Sequence, residues 1–128
     1  MPGRRQAPCL AFAVEFPRPG NNVESHRVVA LETLLRWRHP ALGSVPPERF
    51  VAVAEETGLI VPIGEFVLER AIEDAARWRA AGAAAVPICV NISAVQLQRS
   101  DLPAAITRLT RAHGLSASML VLELTEST

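Results

Sequence analysis

The sequence predicts an α/β protein in which a parallel sheet is flanked by helices, and three observations carry that prediction. Apolar runs of strand length recur at residues 28–37, 86–92 and 119–124. Between them, apolar residues fall at helical spacing, as in Ile63, Val67, Ala71, Ala75 and Trp78, or Leu102, Ile106 and Leu109. The helical stretches are also punctuated, with Pro47, Ser93 and Asp101 near starts and Gly58, Gly82 and Gly114 at ends. Strand alternating with helix indicates βαβ units. A length of 128 residues suits one domain.

In chain order, residues 1–9 are expected to form a disordered Pro/Gly/Arg leader, and 10–128 the folded part. Residues 10–16 alternate weakly as a first strand. Pro17, Pro19, Gly20, Asn21 and Asn22 make a turn, so 26–37 should return as a second strand. In that strand Val28, Ala30, Glu32, Leu34 and Arg36 would share one face, and Val29, Leu31, Thr33, Leu35 and Trp37 the other. Residues 39–45 read as a loop. A short helix through Phe50, Val51 and Ala54 should stop at Gly58, and a longer one at Gly82. Glu69, Glu73 and Asp74, interspersed with Arg70, Arg77 and Arg79, should form that helix's solvated face. Residues 93–96 fit a capping box opening the next helix, and Asp101 caps the last.

Composition excludes several function classes. The formal net charge is zero, which gives no footprint for nucleic acid or anionic lipid. Every basic residue is arginine; lysine is absent. Cys9 and Cys89 lack metal-ligand spacing and read as reduced thiols. The apolar part of the N-terminus stops at Glu15, too short for a signal peptide. Residues 80–98 are uncharged, but Gly82, Pro87, Asn91, Ser93 and Gln96 argue against a membrane span. A cytoplasmic protein with no membrane or nucleic-acid partner is the expectation. His26, His39 and His113 share no spacing that suggests a site, and Trp37 and Trp78 read as packing residues.

A carboxylate such as Glu32 is costly to bury unless paired or bound to a cation. Arg36 lies about 13 Å further on in an extended strand. An anionic ligand could then span a metal at Glu32 and a phosphate clamp at Arg36; alternatively both residues simply face water.

The segment LETLLRWRHP resembles the signature of the EAL-domain family, the bacterial cyclic di-GMP phosphodiesterases. PERFVAVAEETGLI, VNISAVQL and LELTES follow in the family's order and spacing. The resemblance begins near Phe12 and covers only the N-terminal half of the family's domain. It implies a partial TIM-type (β/α) barrel, about the first half, as an open sheet with flanking helices. At the position of the family's Tyr-Gln-Pro motif the chain has Pro17, Arg18 and Pro19, a departure.

Glu32, Asn91 and Glu123 each stand near the C-terminal end of an expected strand, where side chains of such a barrel converge. Singly, each has a plain structural reading, Asn91 for instance ending a strand by bonding its own backbone. Together they form an all-oxygen set suited to Mg²⁺ or Mn²⁺. The resemblance implies that these three ligate metal, that Leu34 and Arg36 contact substrate, and that Glu126 steadies a neighbouring loop.

The family's reaction is a two-metal hydrolysis of cyclic di-GMP to linear pGpG. Its adjacent pair of aspartates, then a lysine, a glutamate and a glutamine, would all lie beyond Thr128. The resemblance therefore implies weak, single-site cation binding and an inactive isolated chain. Two other readings stay open: a degenerate module that binds cyclic di-GMP or a protein without catalysis, and a gene fragment without function. The last strand would be an open edge, so a homodimer, or the missing C-terminal half supplied in trans, is the expected partner.

Overall fold

The computed structural model describes residues 11–15, 30–82 and 86–125. The leader at 1–9, the turn at 17–22, the start of the expected second strand and Glu126 lie outside the described residues. Among the described residues, six strands and four α-helices follow in order: β1 Ala11–Glu15, β2 Leu31–Glu32, β3 Leu34–His39, β4 Gly43–Val45, α1 Pro47–Thr57, α2 Ile60–Ala80, β5 Ile88–Ser93, α3 Ala94–Arg99, α4 Leu102–His113 and β6 Leu120–Thr125. They build two three-stranded sheets, an antiparallel one ordered β1-β3-β4 and a parallel one ordered β2-β5-β6.

The expected second strand is thus two strands in two sheets, and the break falls at Thr33. Leu31 N donates to Pro87 O at 2.9 Å, and Thr33 N donates to Cys89 O at 2.9 Å, which is parallel pairing with β5. The Thr33 hydroxyl donates to the same Cys89 oxygen at 3.1 Å, and the residue is 2 % exposed. From Leu34 onward the chain pairs antiparallel with β1, Leu34 opposite Glu15 and Arg36 opposite Ala13. The continuous alternation through Glu32, Leu34 and Arg36 therefore does not hold. A buried threonine that satisfies both its donors on one carbonyl lets the backbone leave the sheet without an orphaned polar group.

The loop expected at 39–45 is corrected as well, because its end forms β4. His39 pairs with Gly43, and the His39 Nδ1 accepts from the N–H groups of Ala41 and Leu42, each at 3.1 Å. This histidine caps a turn, which Gly43 leaves with φ +70°.

Helix boundaries follow the local signals. Gly58 ends α1 with φ +80° and Gly114 ends α4 with φ +67°. The Ser93 hydroxyl accepts from Val95 N at 3.2 Å, and Asp101 Oδ1 accepts from Ala104 N at 3.2 Å. On α2, Glu69 and Glu73 are exposed, but Asp74 is buried and gripped by Arg70 and Arg77. Arg108 of α4 pairs with Glu65 of α2. Among the described residues no helix is long and apolar enough to cross a membrane.

The core lies between α2, α4 and one face of the parallel sheet. Val67, Leu68, Ala71 and Ile72 of α2 meet Ile88, Val90 and Ile92 of β5 and Leu102 and Leu109 of α4. Ile72 is fully buried at its centre. Ile72→Ala is expected to cost about 2–5 kcal/mol through lost transfer energy and a cavity. Urea unfolding measures it; a loss below about 1 kcal/mol would show that this is not the centre of the core.

Candidate metal and phosphate site

Along β5, Ile88, Val90 and Ile92 point into the core, so Cys89 and Asn91 point the other way. The parallel register sets Glu32 beside Cys89 and Glu123 beside Asn91. Residues paired in register share a face, so Glu32, Cys89, Asn91 and Glu123 all lie on the side of the sheet turned from the helices. Neighbouring strands run about 4.8 Å apart, and two residues along a strand span about 6.6 Å, within reach of glutamate side chains from both sides of β5. Glu32, Asn91 and Glu123 are exposed there.

Cys89, not counted among the candidates from sequence, reports the local field. Burial pushes its thiol above the usual range, and the carboxylates of Glu123 and Glu32 push it further in the same direction. Cys89 is free, and Glu32 is its register neighbour on β2. Cys9 lies outside the described residues.

Two carboxylates and a carboxamide on adjacent strands match the donor chemistry of a hard, partly hydrated cation. No group of three or more His, Cys, Asp or Glu side chains among the described residues is arranged to hold a metal. Leu34 and Arg36 come from the other sheet, on β3, and Arg36 is half-buried. The structure sets Glu32, Asn91 and Glu123 on one sheet, while Leu34 and Arg36 belong to the second.

Trp37 is a packing residue, its ring edge-on to Phe50 at 5.7 Å and to His39 at 5.8 Å. A cavity of about 310 Å³ lies where β3 and β5 meet α1, α2 and α3; Leu35, Ile60, Ile63 and Val67 make it mainly apolar, with Glu55 and Gln96 among its polar lining. Gln96 is 3 % exposed. Its side chain lies against Gly64 of α2, where an added Cβ would run into the amide. The capping pattern at 93–96 gave Gln96 a local role; the structure turns it to another helix instead. A buried amide of this kind has no short-range sequence signal.

The family model for the EAL domain matches residues 18–128. An uncharacterised signalling protein of Caulobacter vibrioides is 45% identical over 100 residues, which are 78% of this chain and 12% of that protein. The bifunctional diguanylate cyclase/cyclic di-GMP phosphodiesterase MucR of Pseudomonas aeruginosa is 43% identical over 101 residues, 79% of this chain and 15% of its own length. The solved structure of the PaMucR phosphodiesterase in complex with c-di-GMP superposes with a TM-score of 0.83 at 37% identity. That match covers 91% of this chain and 47% of the solved one. The chain therefore spans about half of the solved domain and a small part of each relative.

Proposed function

The chain belongs to the EAL-domain family, and on that premise we propose that it supplies one cation site and one phosphate clamp of a cyclic di-GMP phosphodiesterase. The observation that carries this reading is the register of the parallel sheet, Asn91 beside Glu123 and Glu32 one strand over, on the face free of helices. Glu32, Asn91 and Glu123 would hold Mg²⁺ or Mn²⁺. When bound, the cation supplies Lewis-acid polarisation of a phosphodiester oxygen. The two glutamates provide the negative charge that offsets it. Asn91 adds a neutral oxygen donor.

Arg36 binds a phosphate oxygen of cyclic di-GMP, its planar fork matching that geometry. Leu34 offers an apolar contact beside it. Glu126 steadies a neighbouring loop. The hydrolytic reaction gives linear pGpG, with the remaining acidic groups and a base contributed by sequence outside this chain, continuous with it or supplied in trans. A second reading, binding of cyclic di-GMP without turnover, is supported by the two negative charges of Glu32 and Glu123, enough for one cation only.

Mn²⁺ titration calorimetry tests the cation site. One weak site is expected, lost in Glu123→Ala. A stoichiometry of two, or unchanged binding in that variant, would remove the assignment.

A further inference from the structure

We propose that Thr33 is a positioning residue, whose hydroxyl holds Glu32 in register with β5, the strand that carries Asn91. The consequence for cation binding rests on the reading of Glu32 as a ligand; the anchoring itself does not.

The attachment of Glu32 to the parallel sheet is short. β2 is two residues long and stands at the edge of the order β2-β5-β6. Two backbone bonds flank Glu32: Leu31 N donates to Pro87 O, and Thr33 N donates to Cys89 O, each at 2.9 Å. Beyond Thr33 the chain is claimed by the other sheet, since Leu34 pairs with Glu15 of β1. Local opening is easiest where so few bonds hold the backbone.

Thr33 adds a second donor at that point. Its hydroxyl reaches the same Cys89 carbonyl at 3.1 Å, and a carbonyl oxygen has two lone pairs to accept both. The residue is 2 % exposed, so water has little access to replace the bond. The side chain branches at Cβ, which leaves it little rotational freedom. Backbone and side chain are thus tied to one atom of β5, and Glu32 lies directly before the tie. A closed barrel would pair β2 on both sides; among the described residues this sheet pairs it on one. The letters that name the family stand for Glu-Ala-Leu, and alanine has no hydroxyl to give. Thr33 supplies from its own side chain part of what a second neighbouring strand supplies in a closed barrel.

The test uses the 128-residue chain with Thr33→Val, which keeps the branch and loses the hydroxyl, and Thr33→Ser, which keeps the hydroxyl. In ¹⁵N spectra the backbone amide at position 33, corrected for its intrinsic rate, should exchange about fivefold faster in Thr33→Val, the weight of one hydrogen bond. The amide of the core residue Val90 should keep its rate. Mn²⁺ affinity, read by calorimetry, should fall by a similar factor, and Thr33→Ser should restore both readings. An unmoved rate at position 33, or equal acceleration at Val90, overturns the proposal. So does unchanged Mn²⁺ affinity in a chain that binds the ion. Local acceleration in a chain that binds no Mn²⁺ upholds the anchoring and removes the cation reading. If Thr33→Val does not fold, Thr33→Ala replaces it, and the same rates decide.

Discussion

Incubated with cyclic di-GMP and Mg²⁺ or Mn²⁺, the 128-residue chain is expected to release no measurable linear pGpG. Two cations roughly 3.5–4 Å apart, as such a hydrolysis requires, repel strongly and need several carboxylates around them. The open face of the parallel sheet offers Glu32 and Glu123, and Asn91 adds no charge. The chain has no lysine to help activate water. Loss of a general base alone costs about 10²–10⁴-fold in rate, before the missing second cation is counted. Chromatography of the nucleotides after long incubation provides the measurement. Metal-dependent pGpG that disappears in Glu32→Ala would overturn the argument. Nucleotide bound but not turned over would favour the binding-module reading.

The second large effect concerns assembly. β6 is the last strand of its sheet, and among the described residues nothing pairs with its outer edge. Val121, Leu122 and Leu124 are 42%, 40% and 59% exposed, although Leu122 and Leu124 stand in register with the core residues Val90 and Ile92. A closed barrel of this type needs eight strands and typically about 250 residues to bury such a strand on all sides. An apolar edge without proline invites another strand. The chain is expected to form a dimer through β6, or to aggregate, unless the C-terminal half is supplied in trans. Light scattering during size-exclusion chromatography reads the mass. Leu124→Lys should shift the population toward monomer, because a charge on an edge opposes pairing. A monodisperse wild-type monomer with a sharp cooperative melt would show that the edge is not sticky. Failure of the chain to fold at all would favour the reading as a fragment without function.

The helices were legible because their ends are written locally. Pro47 and Gly58 bracket α1, and Asp101 and Gly114 bracket α4, each acting within a residue or two of its own position. The gathering of Glu32, Asn91 and Glu123 was legible for a related reason, since each stands late in its strand and parallel strands keep their ends together. What escaped depends on partners far along the chain. Thr33 lies in an apolar run that looks uniform, and its exit from the sheet is decided by a carbonyl 56 residues away. β4 is only Gly-Ser-Val, too short to show alternation. Gln96 sits where a capping residue would, and only the fold brings it against Gly64.

Because the backbone changes sheets at Thr33, the two hydrogen-bond ladders keep separate count of their residues. The hairpin of β3 and β4 can gain or lose length at its turn while Glu32 stays level with Cys89. A lineage carrying this arrangement is free to reshape the β3–β4 hairpin without disturbing the carboxylates of the parallel sheet. The same arrangement leaves one position with no such latitude: a residue inserted between Glu32 and Leu34 would pull Thr33 away from the Cys89 carbonyl that both its N–H and its hydroxyl use.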